Sequence, residues 1–196
     1  MQARVLTSLP NMLTYGRIAM VPAMVAAFYL EGEAANWTTF GVFVIAAITD
    51  YFDGYFARAW EQTSNLGRML DPIADKLLVS AALFMLVANG TIGWGSVVAG
   101  IIILSREILV SGLREFLAEV RVSVPVTQLA KWKTTIQMVA IGFLLVGEAG
   151  DWLLPHTLDI GIWLLWMAAL LTLYTGYDYF RSGLRHVIKD DEDTPS

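Results

Sequence analysis

"AAITDYFDGYFARAW", residues 46–60, begins as an apolar helix and then places Asp50, Asp53, Gly54 and Ala57 at i, i+3, i+4 and i+7. That spacing puts two carboxylates and two small residues on one stripe of a helix. In a soluble protein such a stripe would face water. Here 56% of the 196 residues are hydrophobic and only 16% are charged, and the mean hydropathy is +0.57. These values lie outside the soluble globular range and point to a membrane protein. A charge at the bilayer centre costs roughly 2.5–3.5 kcal/mol on insertion scales, so acids on a membrane helix are seldom without a purpose.

Working outward, six apolar segments are expected to span the membrane: 12–30, 37–57, 72–89, 96–116, 134–148 and 157–179. Six spans of about 20 residues each use most of the chain, so the fold expected is all-α and polytopic, with 1–189 as one catalytic domain. The breaks "EGEAAN", "NGTIGWG" and "EAGDWLLPH" carry no Lys or Arg. With a cytoplasmic N-terminus, all 13 basic residues fall on or toward the cytoplasmic side. This is the positive-inside pattern, and it places both termini and the acids on the cytoplasmic side of the membrane. Trp37, Trp94 and Trp152 mark the outer ends of spans, and Trp60 and Trp132 the inner ends. Residues 1–11 suit an interfacial helix, with Pro10 and Asn11 as start signals. The acidic end, 190–196, reads as a disordered, solvated tail. The first span is long and lacks an obvious small-residue cleavage site after it, unlike a signal peptide. A net charge of −5 argues against a nucleic-acid partner, and the absence of cysteine excludes disulfides and thiolate metal sites.

A second pair of acids follows in "GRMLDPIADK", where Asp71 and Asp75 stand i, i+4 on one face. Two antiparallel helices joined by "EQTSNLGR" would bring all four carboxylates together. Four anions that close require cations. An all-oxygen set selects Mg²⁺, Mn²⁺ or Ca²⁺, and four carboxylates suit two ions better than one. Paired metals stabilise the entering and leaving oxygens of phosphoryl transfer. Gly54 and Gly67 leave room for a bulky ligand to approach the backbone. Simpler accounts exist for single residues: Asp71 and Pro72 fit an N-cap and N1 pair, and Gly54 and Ala57 fit plain helix packing.

The run from Asp50 to Asp75 reads D-x2-D-G-x2-A-R-x8-G-x3-D-x3-D, including Arg58 and Gly67. It resembles the signature of the CDP-alcohol phosphatidyltransferases, membrane enzymes of six helices. The resemblance implies two Mg²⁺ or Mn²⁺ ions held by Asp50, Asp53, Asp71 and Asp75, with Asp75 as general base. It also implies a homodimer, and a nucleotide or diphosphate near Gly54, Ala57, Arg58, Gly67, Asn11, Thr14 and Arg17.

Farther along, "LSREILVSGLREFLAE" holds Arg106 and Arg114, and "LAKWKTTIQMVA" holds Lys131 and Lys133. Arg106 lies deep in an apolar segment, where a cation is costly. Cations beside a metal site suit an anionic co-substrate, since Arg forks and Lys point charges both bind phosphate. The plainer alternatives are that Arg106 neutralises Glu107 or one of the aspartates, and that the lysines only set topology. These segments, with "LPNMLTYGRI" and "LDPIADKLLV", resemble the phosphatidylglycerophosphate synthase branch of the same family. Ala130 departs from it, because that branch commonly has Gly before the lysine. The resemblance implies CDP-diacylglycerol as donor and sn-glycerol 3-phosphate as acceptor. Arg106, Arg114, Lys131, Lys133 and Arg181 become candidates for gripping the acceptor. Two other readings stay open: a phosphatidylinositol-phosphate synthase of the same family, and a divalent-cation carrier. Against the carrier, the charges gather on one side and the outer halves of the spans are almost free of polar residues.

Overall fold

The computed structural model describes residues 9–59, 65–119 and 128–193, without the side chains of 9, 10, 51, 53–59, 65, 66, 68 and 182–193. All regular structure among them is helical. In chain order it comprises α1 (Leu9–Ala27), α2 (Glu33–Ala59), α3 (Asn65–Ala88), α4 (Trp94–Glu119), α5 (Gln128–Val146), a 3₁₀ turn (Gly147–Gly150) and α6 (Thr157–Asp193). The expected interfacial helix at 1–11 falls largely outside the described residues.

Each expected apolar segment falls mainly on one of these six helices. The helices α1, α3 and α5 stop at Ala27, Ala88 and Val146, short of the expected 30, 89 and 148, but most helix ends extend beyond the apolar windows. The reason is chemical: polar residues take helical conformation as readily as apolar ones, and a hydropathy window registers only the apolar part. Glu33 stands in the first turn of α2, where the unpaired N–H groups favour an acid. The helix α3 begins at Asn65, so Pro72 lies inside it and Asp71 is no N-cap. This corrects the capping account of the Asp71–Pro72 pair. A proline in a helix interior removes a backbone donor and costs about 3 kcal/mol, so the local sequence works against the helix here. At the other end of α3 the chain reverses at Gly90, whose φ of 83° favours glycine. Asn89 Oδ1 accepts the Thr91 N–H at 3.1 Å in that turn.

The chain divides into two compact units. The first comprises residues 1–92 and 141–159. In it α1 packs against both α2 and α3, and its buried apolar side chains include Met24, Phe43, Leu78, Leu86, Leu144 and Leu145. One end of this unit is tied by polar and aromatic contacts: Asn36 Nδ2 donates to the Leu145 carbonyl at 3.0 Å. Beside it Trp37 meets Phe40 edge-on at 6.1 Å and Trp152 at 6.4 Å between ring centroids. The second unit comprises 93–140 and 160–196, that is α4, most of α5 and nearly all of α6. Ile103, Leu117, Leu165, Ala168 and Ala169 are buried there.

Three of the described segments are long and apolar enough to cross a membrane: Trp94–Glu119, Gln128–Gly150 and Thr157–Arg181. Large apolar side chains such as Ile108, Leu109, Trp163 and Leu170 are exposed on them, as a lipid-facing surface requires. The protein is an integral membrane protein. The helices α1–α3 fall short of the same criterion because they carry Asn11, Arg17 and the motif acids among their apolar residues.

Candidate active site

In the first unit, one buried face of α1 reaches the motif acids. Asn11, Thr14 and Arg17 recur every third residue and are all buried. Thr14 Oγ1 donates to Asp71 Oδ1 on α3 at 2.7 Å. Arg17 Nη1 lies 2.6 Å from Asp50 Oδ1 on α2. A buried guanidinium is tolerated when paired, and this pair links α1 to α2. The Asp50 side chain keeps 48% of its surface exposed, so the carboxylate remains open to a ligand. Asp50 and Asp71 lie near enough to feel each other's charge. Asp75 follows Asp71 by one turn of α3 and is partly buried, and Gly67 is buried at the start of the helix.

These observations bear on divalent ions through donor chemistry. The set offers carboxylate oxygens alone, and two of its members repel each other, which added cations would relieve. A cationic group already rests against Asp50 in the form of Arg17. The residues therefore fit hard divalent metals. Among the described residues no group of three or more acids or histidines lies close enough to hold an ion. The Asp53 side chain is outside that description, as are those of Gly54, Ala57 and Arg58, whose backbones lie in α2.

In the second unit, the basic residues separate by environment. Lys133 is fully buried and ion-paired with Glu107, to whose Oε1 its Nζ donates. Arg106 Nη1 approaches the other oxygen of Glu107 at 3.7 Å. Arg106 Nη2 donates to Thr175 Oγ1 at 3.2 Å. Glu107 thus sits between two basic side chains. Neutralisation by Glu107 accounts for only one of them. Arg114 lies over the Tyr179 ring, 5.7 Å from its centroid, and is exposed. Lys131 and Arg181 are exposed as well.

The charged members of both groups were legible in the sequence, as were Asn11 and Thr14; the neutral partners of the arginines in the second unit were not. Thr14 and Arg17 were expected near a nucleotide; each also binds a motif acid directly. Thr175, Gly176 and Tyr179 carry no motif signal, and only the packing of α6 against α4 brings them to the arginines.

The family model described as CDP-alcohol phosphatidyltransferase matches residues 7–174. A protein of Rickettsia bellii is 47% identical over 175 residues, covering 89% of this chain and 94% of its own length. One of Haemophilus influenzae is 42% identical, covering 89% and 92%. One of Arabidopsis thaliana is 38% identical, covering 96% and 84%. The two bacterial proteins are named CDP-diacylglycerol–glycerol-3-phosphate 3-phosphatidyltransferase, and the plant protein carries the same name with the numeral 2.

Proposed function

The chain belongs to the CDP-alcohol phosphatidyltransferase family, and from that premise we propose that it transfers the phosphatidyl group of CDP-diacylglycerol to sn-glycerol 3-phosphate. The products are phosphatidylglycerophosphate and CMP, a step of phospholipid biosynthesis. The observation that carries this reading is near full-length likeness, at 37–47% identity, to proteins named for that reaction.

Asp50, Asp53, Asp71 and Asp75 would hold two Mg²⁺ or Mn²⁺ ions, which supply Lewis acidity toward the diphosphate and lower the pKa of the acceptor hydroxyl. The protein's own residues do the rest. Asp75 takes the proton from the C1 hydroxyl of sn-glycerol 3-phosphate. The resulting alkoxide attacks the β-phosphorus of CDP-diacylglycerol, forming a new P–O bond as the bond to the CMP oxygen breaks. Arg106, Arg114, Lys131 and Lys133, with Arg181, bind the acceptor's phosphate, the Arg forks through paired N–H donors. Asn11, Thr14, Arg17, Gly54, Ala57, Arg58 and Gly67 serve the nucleotide and diphosphate. In this reading 1–189 acts as one catalytic domain with six membrane spans. The basic residues support an orientation with both termini and the site in the cytoplasm of a bacterial cell. The working form is a homodimer.

The test is a labelled-acceptor assay with purified protein, CDP-diacylglycerol and Mg²⁺ or Mn²⁺. Glycerol 3-phosphate should give labelled lipid and CMP; inositol 3-phosphate, serine and choline should give none. Labelled lipid from inositol phosphate alone would reassign the acceptor. A cation carrier would release no CMP at all. A second prediction concerns Arg114, which is exposed and stacked on Tyr179. Arg114→Gln should raise the KM for glycerol 3-phosphate about ten-fold while leaving that for CDP-diacylglycerol within two-fold, the mark of a lost acceptor contact. An equal rise in both constants would remove Arg114 from the acceptor site.

A further inference from the structure

Gly176 lies in the middle of α6 and has no conformational need to be glycine, since its φ is not among the positive values. A glycine there costs about 0.5–1 kcal/mol of helix stability relative to alanine. Its neighbourhood supplies the reason. A Cβ on Gly176 would stand 2.9 Å from Arg106 Cγ, 3.3 Å from Nε and 3.7 Å from Cδ. The Arg106 stem therefore lies directly on the α6 backbone. Cγ is the near part of the side chain, so a methyl group at 176 would displace the whole guanidinium and not merely its tip.

The next residue back fixes the head. Thr175 Oγ1 donates its proton to the Leu171 carbonyl at 2.8 Å, which leaves its lone pairs for Arg106 Nη2 at 3.2 Å. Nη1 faces Glu107. The third nitrogen, Nε, is buried and has no hydrogen-bond partner among the described residues. A buried guanidinium N–H without an acceptor costs free energy unless a ligand oxygen meets it. Stem, Nη2 and Nη1 are thus each held by the protein, and Nε is the donor still to be matched.

We propose that Gly176 and Thr175 are positioning residues for the acceptor. Gly176 gives the Arg106 stem its seat, Thr175 sets the rotation of the guanidinium, and together they hold its charge in place for the acceptor phosphate. This rests on the reading that Arg106 binds the acceptor phosphate. Neither residue touches the substrate; both act through Arg106.

The test uses the full chain in detergent or nanodiscs, with steady-state kinetics in both substrates. The variants are Gly176→Ala, Thr175→Val, Thr175→Ser and Arg106→Gln. Gly176→Ala and Thr175→Val should each raise the KM for glycerol 3-phosphate about ten-fold. The KM for CDP-diacylglycerol should stay as in the parent. Thr175→Ser keeps the hydroxyl and should behave as the parent. Gly176→Ala made on top of Arg106→Gln should add nothing, because the group it displaces is gone. The inference is overturned if Arg106→Gln raises the acceptor KM alone while Gly176→Ala and Thr175→Val leave it unchanged. It is equally overturned if serine at 175 is as damaging as valine. If instead Arg106→Gln moves both KM values alike, the acceptor role of Arg106 itself fails, a distinct result. Should Gly176→Ala not fold, the valine–serine pair decides.

Discussion

Asp75→Asn should lower kcat by about 10²–10⁴-fold at saturating Mg²⁺, the range that removing a general base commands. The exchange is nearly isosteric and retains a carbonyl oxygen, so α3 has no packing reason to change. What it removes is the ability to accept a proton from the acceptor hydroxyl. Because Asp75 is also assigned to the metals, the Mg²⁺ dependence must be measured alongside. A loss of metal affinity alone would be recovered by raising Mg²⁺, whereas loss of the base would not. The acceptor KM should move little, since the proton is taken on the way to the transition state and not in binding. A kcat within a few-fold of the parent, with metal saturated, would transfer the base to another residue.

Removing the charge of Asp71 should be as damaging by a different route. Asp71→Asn leaves an oxygen for the Thr14 hydroxyl, whose bond to Asp71 Oδ1 is 2.7 Å. It takes away one of the negative charges that would bind the metals. CMP release is therefore expected to fall by at least about 10²–10³-fold, the loss typical when one group of a preorganised electrostatic site is removed. The melting temperature should hold. Asp71→Ala should lose activity equally and also lose stability, because buried Thr14 is then deprived of an acceptor worth about 1 kcal/mol. Comparing the two variants separates the charge from the hydrogen bond. Full activity in either would end the metal-site reading of this acid.

Much of this was visible in the chain before any fold was known. Arg106 stood out because a guanidinium deep in an apolar run needs a partner, and the structure supplies Glu107 and Thr175. The two acid pairs stood out through helical spacing, which places them on faces without any knowledge of what those faces meet. What spacing does not encode is contact across helices. Thr14 and Asp71 are 57 residues apart, and Lys133 and Glu107 are 26 apart, so neither pair leaves a local trace. Gly176 is silent for the same reason: within an apolar helix it reads as one more small residue until Arg106 is found against it. The boundary of α3 failed on a different principle. Asp-Pro is a strong local start signal, yet the helix runs back to Asn65 in spite of it.

The length of α6 has a practical corollary. Thirty-seven residues of helix reach about 55 Å, nearly twice the roughly 30 Å thickness of a bilayer's hydrocarbon. The part long and apolar enough to cross a membrane ends at Arg181, and the helix continues past it to Asp193. A fluorescent reporter or affinity handle joined beyond Asp193 would ride on that stalk, away from the detergent belt, where it should leave turnover untouched.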